Sequence, residues 1–346
     1  MKTFSTPLKL MLAFAVCIGL ASCVKNETTP TVNEEEPDVY TVKLGWSGEI
    51  DIDEEPLTRA GETASLYGIE VYSAPYSGEE AEGQNTDWSR YAYGLYGSSE
   101  NITINLLKGF KYKFAATMVE DGQNKIHFNT YNNTYDYPYC VELNNTFIYQ
   151  ATSDFSWAFY YGLTRPANGQ LLYRPNGVNR YFGELSDYVP GLQKEEKAKI
   201  HMKRVNYGAK FIAQGSLANS GSLEIKMQDA ATVNMDLANG VKEYFDVYTF
   251  YHVQDAYKYD KGDYTETIDV TINWCQADGK VVPFGTHKIT YKRNATTVVT
   301  VKMESTDAEN KIGIECEEAE LVEDGENDVT IENGERVDTN IEGNTK

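Results

Sequence analysis

The residues with the most distinctive chemistry lie near the start of the chain, where a thiol follows an apolar run. Lys2 and Lys9 form a basic region, and residues 10–20 follow as eleven residues without a charge. This run is too short to cross a bilayer, which needs about 20 residues, and it has the length of a secretory signal core. Cys23 comes three positions after it. The pattern predicts an exported protein with a cysteine close to the end of its signal segment.

Leu20, Ala21, Ser22 and Cys23 together resemble a bacterial lipobox. In that motif the cysteine sulfur is alkylated with diacylglycerol, and the signal peptide, here residues 1–22, is cut immediately before it. The expected covalent group is therefore an acyl lipid such as palmitate on Cys23, and no other cofactor is expected. Several acyl chains hold a protein on a membrane far better than one, so we predict an outer-membrane lipoprotein. A plain signal peptide with a chance cysteine is the alternative.

Residues 23–38 have the composition of a disordered tether. The stretch 25–38 reads KNETTPTVNEEEPD, with no apolar periodicity and three consecutive glutamates, so it cannot bury enough surface to fold. Acidic residues soon after a lipidated cysteine also resemble the export signal of lipoproteins in some Gram-negative anaerobes. Exposure at the cell surface is therefore the predicted location, with the periplasmic face as the alternative.

The net charge bears on the class of partner. At −21, the chain would repel phosphates, and nucleic-acid binding is not expected. The charge is uneven, because residues 304–346 contain fifteen acidic and three basic residues. The acidity is therefore mainly a property of the C-terminal end, where we predict an acidic tail at 319–346.

The sequence contains no recognisable catalytic or metal-binding motif. Its four histidines do not stand at metal-ligand spacing, and it lacks a serine elbow, a phosphate-binding loop and a dinucleotide fingerprint. The cysteines after Cys23 match no zinc pattern; they are Cys140, Cys275 and Cys316. They leave open either free thiols or one disulfide with a spare thiol. We predict a protein that is not an enzyme and binds no metal; a hydrolase with paired carboxylates is a more distant alternative.

The chain is predicted to consist mainly of β-strands, because apolar and polar residues alternate along most of it. The first such run is Tyr40, Val42, Leu44 and Trp46. The piece INLLKGFKYKFAATMV resembles a tyrosine corner, in which the hydroxyl of Tyr112 bonds back to the backbone and fixes the path between two sheets. Residues 131–190 are less regular and rich in aromatic residues and turn signals.

This pattern predicts an all-β fold of two tandem β-sandwich domains with transthyretin-like or Greek-key connections. The first domain covers residues 39–198 and includes the aromatic long-loop insertion. The second covers residues 199–318, where about seven short strands fit one sandwich. The stretch LQKEEKAKI at 192–200 is interpreted as a charged linker or a short helix between them.

The lipobox, the acidic tether, the Thr-Arg-Ala stretch around Arg59 and the strand pair YKRNATTVVTV at 291–301 together resemble the fimbrillin family of surface lipoproteins. The resemblance implies two transthyretin-like sandwiches and a role as a stalk, tip or anchor subunit of a pilus. It also implies cleavage after Arg59, loss of the lipid with the strand at 40–46, and entry of a neighbouring subunit's strand into the opened groove. The segment 328–336, DVTIENGER, has only Val329 and Ile331 as alternating apolar residues, which is few for a donor strand. An anchor, a tip or an unpolymerised subunit therefore fits the sequence equally well.

Aromatic residues within 131–161 support an alternative function. Rings stacked on an exposed sandwich face could hold sugars, as in glycan-binding surface lipoproteins of polysaccharide-uptake systems, and the candidate residues are Tyr139, Trp157 and Tyr160. Packing in the core is the other explanation of these rings. The expected partners are thus the outer membrane, through the lipid, and other fimbrial subunits or host or glycan ligands.

Overall fold

Alternating residues form β-strands along most of the chain, as the sequence predicts. The computed structural model describes residues 38–49, 64–78, 87–149, 159–192, 196–259, 264–305, 310–321 and 337–338. Within these ranges there are nineteen strands and two short helices. The prediction of an all-β protein is confirmed.

Ten strands come from the first part of the chain. They are β1 (Val39–Gly48), β2 (Leu66–Pro75), β3 (Ser89–Tyr96), β4 (Thr103–Leu107), β5 (Phe110–Val119), β6 (Phe128–Asn129), β7 (Thr134–Tyr135), β8 (Ile148–Tyr149), β9 (Arg180–Tyr188) and β10 (Lys197–Arg204). Eight of them form the first sheet, in the order β4-β1-β10-β9-β5-β2-β3-β8. β6 and β7 pair with each other after the short helix α1 (Gly122–Lys125).

The later strands form two further sheets. They are β11 (Asn206–Gln214), β12 (Ser222–Met227), β13 (Val233–Asp236), β14 (Glu243–Thr249), β15 (Thr265–Cys275), β16 (Val281–Lys292), β17 (Ala295–Ser305), β18 (Asn310–Glu320) and β19 (Val337–Asp338). The second sheet has the order β14-β11-β17-β18-β19 and the third sheet β13-β12-β15-β16. The helix α2 (Val253–Lys258) follows β14. No helix among the described residues combines the length and the apolar character of a membrane span.

The first sheet rolls around its own core. The hydroxyl of Tyr91 on β3 donates to the carbonyl of Asn105 on β4 at 2.6 Å, and the N–H of Asn105 donates to the hydroxyl of Tyr149 on β8 at 3.1 Å. These contacts join strands from the two ends of the sheet order. The core that this closure surrounds includes Val42, Leu44, Ile69, Ile104, Phe114 and Met202. One continuous sheet therefore encloses a core in the first part of the chain.

The second and third sheets share a core. The ring of Tyr207 on β11 lies 4.7 Å, between centroids, from the ring of Tyr291 on β16. The buried residues of this core include Phe211 and Val299 from the second sheet and Ile225 and Ile272 from the third. Removing such apolar faces from water is the main driving force for the packing of two sheets.

Residues 37–346 form one compact unit. Phe182 and Ala115 from the first sheet belong to the same buried cluster as the residues of the second and third sheets. The division into domains between residues 198 and 199 stays a prediction, and these two residues lie within one strand, β10.

The interpretation of residues 192–200 as a linker or short helix is wrong over residues 197–200. These residues begin β10, a strand inside the first sheet between β1 and β9. Ala198, Ile200 and Met202 are buried along one face of β10. Charged residues at 194–197 and Lys199 dominate the local composition and hide the period of two, which a strand with one buried face requires.

The tyrosine corner is confirmed. The buried hydroxyl of Tyr112 accepts a hydrogen bond from the N–H of Leu107 at 2.7 Å and donates to the carbonyl of the same residue at 3.2 Å. Gly109, between β4 and β5, has φ +80°, a conformation that glycine adopts without steric cost. The corner therefore fixes the angle at which the chain leaves β4 and enters β5.

Replacing Tyr112 with phenylalanine should remove this hydroxyl and leave the N–H of Leu107 without its partner. The free energy of unfolding, measured by urea denaturation, should fall by about 1–2 kcal/mol. Tyr131, whose exposed fraction is 94%, supplies the control, because Tyr131→Phe should leave the free energy unchanged. Equal losses in the two variants would contradict a specific role for the Tyr112 hydroxyl.

Candidate functional site

The first strand among the described residues, β1, lies inside the first sheet and not at its edge. It runs antiparallel to β4, with Val42 opposite Ile104, and parallel to β10, with Trp46 opposite Ile200. A parallel neighbour cannot be reached by a hairpin turn, and β10 is the last strand of the first sheet along the chain. β1 thus fills a gap between two strands that come from distant parts of the sequence.

One face of β1 completes the core of the first sheet. Tyr40, Val42 and Leu44 are buried, and the exposed fraction of Val42 is 0%. Thr41 and Lys43, which alternate with them, are exposed. Burying an aliphatic side chain of this size contributes about 1.5–3 kcal/mol. The strand is therefore held by its side chains as well as by two ladders of backbone hydrogen bonds.

The end of β1 follows a fixed backbone path. The ring N–H of Trp46 donates to the carbonyl of Ser99 at 3.2 Å. Gly48 has φ +98°, and a Cβ at this position would lie 2.2 Å from the carbonyl oxygen of Met202. Because only glycine combines this φ with such a close approach to backbone, the position directs the next residue, Glu49, in one orientation.

A carboxylate clamp closes the end of β1; it consists of Glu49, Arg293, Asn294 and the backbone N–H of Arg204. Nη1 of Arg293 donates to the two carboxylate oxygens of Glu49 at 2.9 and 2.6 Å. The Arg204 N–H donates to the carboxylate at 2.9 Å and the Asn294 side-chain amide at 3.2 Å. Arg293 follows Glu49 by 244 positions and lies in the turn between β16 and β17. The clamp therefore ties the first strand to the third and second sheets.

The clamp favours the ionised form of Glu49. Partial burial raises the pKa of this carboxyl, but the hydrogen bonds from Arg293 and from the Arg204 N–H, with the charge of Arg293, outweigh it and lower the pKa below its ordinary value of 4.5. The exposed fraction of the side chain is 3% for Arg293 and 35% for Glu49. A buried cation thus meets a carboxylate that solvent still reaches, and the pair stabilises less than a fully buried one.

Glu49→Gln should make the protein less stable at neutral pH and less sensitive to acid. The folded-state pKa of Glu49 lies below the unfolded value, so its contribution is present above that value and is lost as pH falls through the folded pKa. We expect a loss of about 1–2 kcal/mol at pH 7, discounted for solvent screening, that shrinks on acidification. Urea denaturation across acidic and neutral pH measures it.

Glu318→Gln is the control for this comparison, since it breaks the exposed pair between Glu318 and Lys292. Exposed pairs contribute little, so its free energy of unfolding should follow that of the unchanged protein at each pH. A Glu49→Gln deficit that stays constant from pH 7 into the acid range would contradict a role for the Glu49 charge.

The sequence does not identify the clamp. Arg293 and Asn294 are recognisable as a tight turn between two strands, and Asn294 has φ +55°, which suits asparagine. An arginine in such a turn is ordinarily expected in solvent, and nothing near it points to Glu49. The available sequence signal for the clamp is the Gly48-Glu49 pair directly after an alternating strand. The same pair is equally typical of an ordinary turn.

The sugar-stacking role predicted for Tyr139 is wrong. Its exposed fraction is 1%, its hydroxyl donates to the carbonyl of Leu66 at 2.9 Å, and burial raises its pKa. A ring enclosed in this way offers no face to a ligand. Tyr160 is half-buried and lies edge-on against Phe182, with 5.6 Å between ring centroids. Trp157 lies outside the described residues.

Another group of rings reaches the surface. The ring of Tyr251 lies 5.6 Å from Tyr161, 5.1 Å from Tyr173 and 4.5 Å from His252, measured between centroids. The guanidinium of Arg174 lies 5.6 Å from the centroid of the Tyr251 ring. The tilted and edge-on contacts are those that aromatic rings prefer with one another. The sequence does not reveal this group because its members come from three separate segments.

The remaining predicted site residues fall outside the described residues; they are Leu20, Ala21, Ser22, Cys23 and Arg59. Lipidation and proteolytic maturation therefore stay predictions. Of the two arrangements left open for the later cysteines, the structure has free thiols, at Cys140, Cys275 and Cys316. Among the residues that the structure describes, no three His, Cys, Asp or Glu side chains come together as a metal site would require.

No family model matches the sequence, and no curated protein matches it. Among solved structures, the chain is similar to the tip fimbrial protein Mfa3 from Porphyromonas gingivalis with C-terminal truncation. The identity is 12% and the TM-score 0.33, over 82% of this chain and 100% of that one. It is also similar to the fimbrial anchor protein Mfa2 from the same organism, at 9% identity and TM-score 0.33, over 81% of this chain and 97% of that one.

A third similar structure is a fimbrial assembly protein from Parabacteroides distasonis. It shows 10% identity and a TM-score of 0.29, over 82% of this chain and 96% of that one. At these low identities and TM-scores, the function of this chain has to be inferred from its own residues and their geometry.

Proposed function

We propose that the protein is a non-enzymatic surface lipoprotein of the fimbrillin type, acting as a pilus or adhesion subunit. In this proposal β1 is a removable strand that holds the place of a strand from a neighbouring subunit. The observation that carries the proposal is the position of β1 between β4 and β10, with β10 parallel to it.

Removal of β1 would open a groove with two free strand edges. β4 and β10 would each lose a partner, and unpaired N–H and C=O groups along an edge are a template for another strand. The floor of the groove would be the apolar surface that Val42 and Leu44 now cover. A strand from another subunit would restore both hydrogen-bond ladders and this burial, which is β-strand addition.

Arg59 is the proposed point of cleavage. It lies in residues 50–63, between β1 and the first described residues before β2. A cut after Arg59 would separate β1, together with the tether and the lipid proposed on Cys23, from the other strands. The uncut protein would stay attached to the outer membrane at the cell surface, as an anchor or an unpolymerised subunit would.

An arginine-specific protease tests this proposal on the exported protein. Cleavage after Arg59 should release one acylated fragment, which mass spectrometry would identify as residues 23–59 with lipid on Cys23. The remaining chain should then form ladders that resist SDS, because each groove takes a strand from a neighbour. Arg59→Lys supplies the control, since it keeps the charge and removes the cleavage site. Equal fragmentation of the two proteins, or a cut chain that stays monomeric, would contradict it.

A further inference from the structure

Arg293 would stay in place if β1 left. Its backbone N–H donates to the carbonyl of Tyr264 at 2.9 Å, and its Nη1 donates to the carbonyl of Arg204 at 3.0 Å. Neither partner belongs to β1. Since the exposed fraction of the side chain is only 3%, the guanidinium cannot turn into solvent without moving its surroundings.

The loss of Glu49 would therefore leave a buried cation without its counter-charge. Among the described residues, Glu49 is the carboxylate that pairs with Arg293. Removing the partner of a buried charge is unfavourable because the charge that remains is uncompensated. The vacated position would thus favour whatever strand restores a carboxylate there.

The donors around Glu49 are also arranged for a carboxylate in particular. Arg293 contacts both carboxylate oxygens, the Arg204 N–H contacts one of them at 2.9 Å, and the Asn294 amide contacts the same one at 3.2 Å. Charge-assisted hydrogen bonds of this kind are stronger than those between neutral groups. A neutral amide such as glutamine would have to turn its own NH₂ away from these donors and could not neutralise the cation.

We propose that the clamp is a carboxylate-recognition site that selects the strand entering the groove. This inference rests on the proposed exchange of β1. The segment it fits is a strand of a neighbouring subunit with a carboxylate in the place of Glu49 and glycine immediately before it, as at Gly48. Its apolar residues would stand at the places of Tyr40, Val42 and Leu44. The glycine is required because a Cβ at position 48 meets the Met202 carbonyl oxygen.

Peptide exchange on the protease-cut full chain tests this inference. The probe is a fluorescent peptide of residues 38–49, blocked at both ends, so that the side chain of Glu49 is the carboxylate at the clamp. The second probe carries Glu49→Gln. We expect the cut chain to capture the first peptide about tenfold more tightly or better, as for other hydrogen-bonded charge pairs. In a chain with Arg293→Gln, the preference should fall to about the two- to threefold that the Asn294 amide supplies.

Asn294→Gly keeps the inference testable if Arg293→Gln does not fold. Glycine tolerates the positive φ of this turn while removing the amide donor, so the preference for the Glu49 peptide should fall by about two- to threefold. Equal capture of both peptides by the unchanged cut chain would overturn carboxylate selection and leave strand exchange intact. A cut chain that neither releases β1 nor captures either peptide would overturn both proposals.

Discussion

Val42→Asp should produce the largest loss of stability among single changes in β1. Val42 has an exposed fraction of 0% and faces the core of the first sheet. A carboxyl group there would either be ionised without a partner or take up a proton at a high cost in free energy. We expect the free energy of unfolding to fall by roughly 4 kcal/mol, as measured by urea denaturation.

Lys43→Asp is the matched control, because it introduces the same side chain one position along the same strand. Lys43 is exposed, and its backbone N–H bond to the carbonyl of Glu196 does not depend on the side chain. This variant should stay within about 0.5 kcal/mol of the unchanged protein. Similar losses in the two variants would mean that β1 does not present alternate faces to core and solvent.

Arg180→Met should be nearly as damaging, although it replaces a charged residue with an unbranched apolar one. Arg180 is fully buried. Its Nε donates to the Thr117 hydroxyl at 2.9 Å, and its Nη atoms donate to the carbonyls of Tyr161 and Phe159 at 2.8 and 3.0 Å. Burial lowers the pKa of Arg180 to about 10, so the group stays charged at neutral pH.

Methionine would fill most of the volume but leave those two carbonyls without their donors. Each unsatisfied buried group costs about 1–3 kcal/mol, so we expect a loss of about 3 kcal/mol in the free energy of unfolding. Arg165→Met is the control, because Arg165 pairs with Asp136 at 3.2 Å with 39% of its side chain exposed and should cost at most about 1 kcal/mol. An Arg180→Met protein as stable as this control would show that the buried hydrogen bonds contribute nothing net.

The strands could be predicted where apolar and polar residues alternate without interruption. Residues 268–274 alternate apolar and polar side chains without interruption, and they lie within β15, where Ile268, Val270 and Ile272 are buried. The tyrosine corner could be predicted for a similar reason, because its partners, Tyr112 and Leu107, are five positions apart. In both cases the information lies within a short window of sequence.

Features that depend on distant contacts could not be predicted. The clamp joins residues 244 positions apart, and no local pattern encodes that proximity. β10 is not recognisable from composition, because charged residues at 194–197 and Lys199 surround Ala198 and Ile200. The density of nearby aromatic residues leaves open whether Tyr139 lies in the core or on an exposed face, because whether such a ring meets solvent depends on the strands packed over it. Register and sheet order carry this information, and composition does not.

The parallel pairing of β1 with β10 also sets an order of events during folding. Ser47 and His201, which face each other across this pair, are 154 positions apart, and contacts of such long range form slowly because the intervening chain must first be ordered. β1 is made first but can dock only after β10 has been synthesised. Until then the unfinished sheet leaves apolar surface and unpaired strand edges exposed, so a chain that stops short of β10 should aggregate.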